Sequence, residues 1–420
     1  MQTASPAERS DGTATTATVP LTWDPALPAF RADPHPFYDR LRAEAPALCT
    51  PLGNVVLTRY HDVAATLRSP DFSRDVDANA TWRDDPVFLR RRERLRGAKT
   101  ILHLDPPDHT RLRRLVSQAF TPSAIERLRP RVQQLVDDSL DRAAEAGAIE
   151  LIDELAFPVP FQVISDLLDM PTGRADELRA WSQTITASLE PGATLADLDA
   201  ADAALAEMVP LLVDVVEHRR HHLGEDVLSS LIRAEEAGDR LDLGELIAFV
   251  TLLYVAGHET TVNLIGNGVL ALLRHPDELR RWHDDPSLTE GAIDELLRYD
   301  GPVQHTVRVP LVPVSFGEGD QRVDVAPGTI VTAILGAANH DPAVFDDPHR
   351  LRLDRPNAHR HLAFAAGIHY CLGASLAKLE AAVAIGTLVR RFPVMVIAEA
   401  PAWRDRVAIR GVERLALQLR

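Results

Sequence analysis

Cysteine is almost absent from this chain: its 420 residues hold two, Cys49 and Cys371. Two thiols in one chain build neither a disulfide framework nor a four-cysteine zinc or iron–sulfur site. Their scarcity fits a reducing, cytoplasmic compartment. Lysine is nearly missing too. It stands only at Lys99 and Lys378, so arginine carries almost all the positive charge, and no function follows from that. No apolar run approaches the roughly 20 residues that cross a bilayer. The longest, residues 246–257, ends at His258-Glu259, so no membrane association is expected. Residues 1–20 lack a basic start followed by an apolar stretch. Rich in Ala, Thr and Ser, they read as a disordered tail ahead of a folded unit spanning residues 21–420. The net charge of −16 speaks against non-specific nucleic-acid binding. There is no Gly-x-Ser-x-Gly elbow and no Gly-x-x-x-x-Gly-Lys phosphate loop. Gly266-Asn-Gly268 imitates a dinucleotide fingerprint, but no strand precedes it. His258-Glu259 lacks the second histidine of a zinc-protease motif.

What is present is mostly helical pattern. Helices are expected over residues 37–43, 60–67, 109–120, 122–146, 161–168, 175–189 and 195–222. The longest runs over residues 244–273, and shorter ones cover 277–283 and 290–299. Residues 54–58 alternate and are β-branched, which reads as a strand. Short strands are expected within residues 307–331 and again near the C-terminus. A Pro- and Asp-rich meander covers residues 339–356, and a last helix runs from just after Cys371 to Arg391. Residues 83–96 are arginine-dense and read as a solvated loop or short helix. No repeat or internal linker breaks the chain.

Four stretches carry chemistry. The first is Phe364-Ala-Ala-Gly-Ile-His369-Tyr-Cys371-Leu-Gly373. A free cysteine most often serves as a small buried hydrophobe. Here it sits at the start of a helix, where the macrodipole favours a thiolate, and Gly367 and Gly373 permit turns and close approach. The second is Ala256-Gly257-His258-Glu259-Thr260-Thr261, in the middle of the longest helix. Ala256 and Gly257 leave room on one face. Thr260 can donate to the carbonyl of Ala256 and open the helix to water. An acid beside a hydroxyl is a plausible proton relay; the plainer alternative is a kinked helix with a solvent-facing Glu259. The third is Glu295-Leu-Leu-Arg298, a common i, i+3 pair of little weight by itself. The fourth is Asp105-Pro-Pro-Asp-His109-Thr-Arg-Leu-Arg113, with two cations at i, i+4 suited to a carboxylate or simply to solvent.

Together these stretches resemble the cytochrome P450 family, from about Asp24 to the C-terminus. The Phe-x-x-Gly-x-His-x-Cys-x-Gly spacing is similar to its haem-binding loop. One position departs: many bacterial members have Gly after the Phe, where this chain has Ala365. The resemblance implies a mainly α fold with small β-sheets, a triangular helical prism around a buried haem b. Cys371 is then the iron's thiolate ligand. His109, Arg113, Arg308 and His369 bind the haem propionates. Phe364, Gly373, Ala256 and Gly257 lie against the ring. Glu259 and Thr260 match the acid–alcohol pair that delivers protons to dioxygen. Arg355 in the meander joins Glu295 and Arg298 in a structural charge network.

The implied activity is monooxygenation of a small, mostly apolar molecule in bacterial secondary metabolism. The pocket lining falls within residues 75–100, 165–190, 252–256, 303–306 and 407–409. Oxidative coupling or desaturation on the same haem is the alternative. A non-catalytic haem-thiolate sensor or electron carrier is the reading from another class. No flavin or iron–sulfur motif is present, so electrons are expected from a ferredoxin or flavodoxin with its reductase. Arg111, Arg114 and Lys378 are expected to offer docking charge near the cysteine loop.

Overall fold

A computed structural model describes residues 21–420 except 26, 98, 99, 237 and 238. The tail expected over residues 1–20 lies outside the described residues, as does Lys99.

One helix, Leu243–Arg274, organises the molecule. Its 32 residues span roughly 48 Å at 1.5 Å per residue. Its start is a capping box: Asp242 accepts from the Glu245 N–H, and Glu245 reaches back to the Asp242 N–H, which satisfies two otherwise orphaned donors. It stops at His275-Pro276, because proline cannot continue the hydrogen-bond ladder. Its apolar flanks pack against Pro158–Leu168, Thr289–Asp300 and Ala374–Arg391. Gly266 and Gly268 explain the false dinucleotide fingerprint. A Cβ on Gly266 would come within 2.8 Å of Ile152 and 2.9 Å of Val412, and one on Gly268 within 3.1 Å of Leu296. These glycines admit neighbouring side chains, not phosphates.

The expected helix over residues 122–146 is two helices, Pro122–Glu126 and Arg129–Ala146. Pro130 sits in the first turn of the second one, where its missing N–H costs nothing but leaves no ladder bond back to the first helix. After that helix come a strand, Ala148–Glu150, and a wide turn in which the Phe157 N–H reaches the Ile152 carbonyl at 2.8 Å. The arginine-dense stretch is a helix, Pro86–Gly97.

The largest sheet has five strands, in the order Ala47–Cys49, Val55–Leu57, Val331–Ile334, His305–Pro310, Phe72–Ser73. Val331–Ile334 runs parallel to Val55–Leu57 and antiparallel to His305–Pro310, with Thr332 opposite Val307. Three-residue strands such as Ala47–Cys49 are too short for visible periodicity.

Glu295, Arg298 and Arg355 assemble as expected. Arg298 donates to both Glu295 oxygens, Nε to Oε2 at 2.7 Å and Nη2 to Oε1 at 2.9 Å. Arg355 Nε donates to both at 3.0 Å. The spare guanidinium N–H groups reach meander carbonyls, those of Asn339, Pro348, Asp347 and Arg350 among them. All three side chains are buried.

Candidate active site

The cysteine loop is a backbone-held hairpin. The Cys371 N–H donates to the Phe364 carbonyl at 3.0 Å, and the Tyr370 N–H to that of Gly367 at 3.1 Å. Gly367 is required here: its φ is +74°, and a Cβ would lie 2.3 Å from the Leu67 carbonyl oxygen. Ala365 also adopts the left-handed region, with φ 58°. Glycine would suit this position better, since an L side chain pays roughly 1 kcal/mol for this conformation. Ala365→Gly is expected to raise the unfolding free energy, read from the urea midpoint, by up to ~1 kcal/mol, the gain being trimmed by the greater entropy of unfolded glycine. An unchanged or lowered midpoint would count against strain at this position.

Cys371 is an exposed residue whose thiol is nonetheless crowded by neighbouring atoms, and Arg113 is close enough to act on it electrostatically. The thiol is not poised as a thiolate by the protein alone. Burial raises its pKa, and the Gly373 N–H and Arg113 only partly oppose this. The helix that was expected to activate it begins at Ala374, beyond Gly373. Desolvation therefore outweighs the dipole. Gly373 has φ −85° and open space where a Cβ would go, so it serves clearance there rather than a special turn. Phe364 is half-buried, its ring 5.6 Å from His361 and 6.2 Å from Tyr370.

The middle of the long helix is accessible on one side only. Ala256 is exposed, and Leu252, Leu253, Gly257 and Thr260 are partly so, while Tyr254, Val255, His258 and Glu259 are buried. Thr260 Oγ1 donates to the Ala256 carbonyl at 3.0 Å. Glu259 points elsewhere, because adjacent helical residues project about 100° apart. Its carboxylate is ion-paired with Arg404 and, at 3.4 Å, Arg406. Arg406 is itself held by Thr186 Oγ1 at 2.9 Å and the Gln183 carbonyl at 2.8 Å. Glu259 is thus an anchored carboxylate behind the accessible face and not a solvent-facing acid.

A group of arginines and histidines converges near the cysteine loop. His109 and His369 meet at a tilt with ring centroids 4.4 Å apart, and among the described residues His369 Nε2 is buried with no hydrogen-bond partner. Arg308 donates only to Thr306 Oγ1 and the Val307 carbonyl, and burial beside Arg74 pushes its pKa down to about 9. Arg74 is pushed down to about 10 by burial. His103 is held at about 3 by burial and by Arg74 and Arg94. Burial is the main cause of each shift, and Asp105 only partly offsets it at Arg74 and Arg308, so two desolvated guanidinium groups side by side suit an anion. Sequence motifs pointed to His109, Arg113, Arg308 and His369. They missed Arg74 and His103, which belong to no recognised pattern; a basic residue just after the strand Phe72–Ser73 was the only available signal.

Glu380, on the last helix, was also missed. It is 1% exposed, and burial pushes its carboxyl up to about 8, with a hydrogen bond to Thr261 opposing. In the unfolded chain the same carboxyl titrates near 4.3. Between these values the folded state keeps a proton that the unfolded state has lost, so stability falls as pH rises through that window. Glu380→Gln cannot ionise. Relative to the parent, it is expected to gain on the order of 3 kcal/mol between pH 5 and pH 8, read from urea midpoints. Parallel pH profiles would show that Glu380 is not held neutral.

The cations expected to dock a partner are matched by acids of their own chain. Arg111 pairs with Glu245 and Asp239, Arg114 with Asp239 at 3.7 Å, and Lys378 with Asp294 at 2.5 Å. A depression of about 800 Å³ lies beside the cysteine loop, lined by Tyr60, Ala365, Gly367 and Tyr370 and bordered by Arg68 and Arg360. Among the described residues, no helix is long and apolar enough to cross a membrane.

Known proteins are similar to this chain in sequence and fold. The Cytochrome P450 family model matches residues 54–404. Cytochrome P450 107B1 of Saccharopolyspora erythraea is 43% identical, covering 93% of this chain and 96% of that protein. The cytochrome P450 monooxygenase PikC of Streptomyces venezuelae is 41% identical, covering 93% and 92%. The crystal structure of P450BioI, in complex with an acyl carrier protein bearing hexadec-9Z-enoic acid, superposes with a TM-score of 0.84. It is 31% identical, with 93% of this chain and 99% of that one covered. A helix-rich fold with small sheets is common to this chain and these haem-thiolate oxygenases. The chain belongs to the cytochrome P450 family and is a P450 monooxygenase.

The family's cofactor is a thiolate-ligated haem, and the residues present fit it. Cys371 is exposed, among the described residues no carboxylate accepts a hydrogen bond from Arg74 or Arg308 and none partners His369 Nε2, and the central helix leaves Ala256 uncovered.

Proposed function

We propose that this chain oxidises a small, mostly apolar molecule of bacterial secondary metabolism, with Cys371 as the haem ligand. When bound, the haem supplies reductive activation of dioxygen, which electron donation from a thiolate favours. The chain's own residues divide the remaining work. His109, Arg113, Arg308 and His369 hold the propionates. Phe364 and Gly373 lie on the cysteine side of the ring, Ala256 and Gly257 on the other.

Thr260 holds a proton donor at the accessible face of the central helix, with its own Oγ1–H resting on the Ala256 carbonyl. Glu259 is the acid behind it. A swing away from Arg404 and Arg406 would let its carboxyl carry protons inward from solvent. Leu252, Leu253 and Ala256 give the substrate side an apolar lining. The fatty-acyl carrier protein bound to P450BioI is consistent with an acyl or similarly apolar natural-product substrate. Electrons come from a separate ferredoxin or flavodoxin system in the cytoplasm, and the depression beside Arg68 and Arg360 would accept it.

The observation that carries this reading is the one-sided accessibility of the central helix at Ala256 and Thr260. A haem carrier has no need of a hydroxyl there. Thr260→Ala is expected to raise peroxide release relative to product by roughly tenfold, about 1.4 kcal/mol, with haem content unchanged. The check is NADPH consumption, peroxide and product measured together with reductase partners. Equal coupling in the variant and the parent would remove Thr260 from the relay.

A further inference from the structure

We propose that Arg74 is a further propionate-holding residue, one that ties the segment around residues 71–105 to the haem. The inference rests on haem being the ligand of Cys371.

Arg74 follows the edge strand Phe72–Ser73. Its guanidinium is fixed by neutral oxygens from two other parts of the chain. Nε donates to the Leu102 carbonyl at 3.1 Å. Nη1 donates to Thr306 Oγ1 at 2.8 Å and to the Val307 carbonyl at 3.0 Å. Thr306 and Val307 also receive Arg308, so two guanidinium groups share one small patch of strand.

Asp105 acts on both guanidinium groups through space, but its oxygens are hydrogen-bonded elsewhere. Asp105 Oδ1 accepts the backbone N–H of Arg74 at 3.0 Å, and Oδ2 accepts the hydroxyl of Ser73. Among the described residues, no carboxylate accepts a hydrogen bond from either guanidinium. Arg74 also acts electrostatically on His103, Arg308 and His369, which places it within the cluster. Four propionate residues were expected from motifs. Arg74 adds a second planar fork, pre-oriented by three hydrogen bonds, and leaves Nη2 for a carboxylate. The shared chemistry is a carboxylate, and both a haem propionate and an acidic substrate could supply one. Arg74's contact with the same two residues that hold Arg308 favours the propionate.

The test uses the holoenzyme. Haem transfer to excess apomyoglobin is expected to be about tenfold faster in Arg74→Gln than in the parent. Its reduction potential should be more negative, because a cation stabilises the more negative reduced haem. Arg74→Lys keeps charge without the fork, so its transfer rate should be intermediate with a potential near the parent's. Should Arg74→Gln give no soluble holoprotein, Arg74→Lys carries the comparison. With haem whose propionates are methyl esters, the difference between variant and parent should vanish.

Equal transfer rates and potentials would overturn the proposal. So would a difference that persists with the ester. Unchanged haem retention with weakened binding of a long-chain fatty acid would assign the carboxylate to substrate and overturn it as well. The reading of Cys371 is tested separately, by the spectrum of the parent's reduced carbon monoxide complex.

Discussion

Cys371→Ser is expected to abolish the red-shifted Soret band of the reduced carbon monoxide complex. Oxygenation should fall by at least about a thousandfold, ~4 kcal/mol. A serine hydroxyl is a poor donor to iron and does not ionise in a buried loop, whereas a metal readily displaces a thiol proton. The loop itself should survive. Its fold depends on the Cys371 N–H to Phe364 bond and on Gly367, not on the sulfur, so urea midpoints of variant and parent should agree closely. Cys49 is exposed in a strand far along the chain, and Cys49→Ser should retain the band. A shifted band surviving in Cys371→Ser would sink the ligand assignment.

Motif and periodicity made part of this site legible. The central helix was read within a residue of its ends, because a long apolar run closed by His275-Pro276 has few alternatives. The cysteine loop was legible because its spacing is rare. What stayed hidden depends on contacts between distant segments. Glu259 read as a free acid, and its arginine partners lie 145 and 147 residues onward. Arg111, Arg114 and Lys378 read as free cations, yet each meets an acid brought up by folding. The thiol's raised pKa is set by burial, which a helix-start signal does not report. Ala365 stood out as a departure, but its cause, a positive φ, is a backbone property seen only in the fold. The strand Ala148–Glu150 was missed because its partner, Ala416–Leu419, is at the other end of the chain.

The charge network under the cysteine loop carries the largest expected effect on stability. Glu295 is fully buried and is the shared carboxylate acceptor of Arg298 and Arg355. It also accepts the Arg352 N–H at 3.0 Å. Removing one member of a buried ion network typically costs 3–5 kcal/mol, because the remaining charge stays desolvated. Here two guanidinium groups would be stranded at once, so Glu295→Ala belongs at or above the top of that range. Glu295→Gln is scarcely milder: its amide keeps one acceptor but turns an N–H₂ toward guanidinium donors. Net stabilities of about 5–15 kcal/mol leave little margin for such a loss. Both variants are therefore expected in the insoluble fraction, or with sharply lowered urea midpoints and little bound haem, since the meander that leads into the cysteine loop is held through Arg355. Glu44 supplies the contrast. It meets Arg40 in an exposed i, i+4 pair at 2.9 Å, worth about 0.3–0.5 kcal/mol, and Glu44→Ala should leave the midpoint almost unmoved. A soluble Glu295→Gln whose midpoint lies within about 1 kcal/mol of the parent would mean that the meander is held by its backbone bonds alone, with the carboxylate contributing only what a surface ion pair contributes.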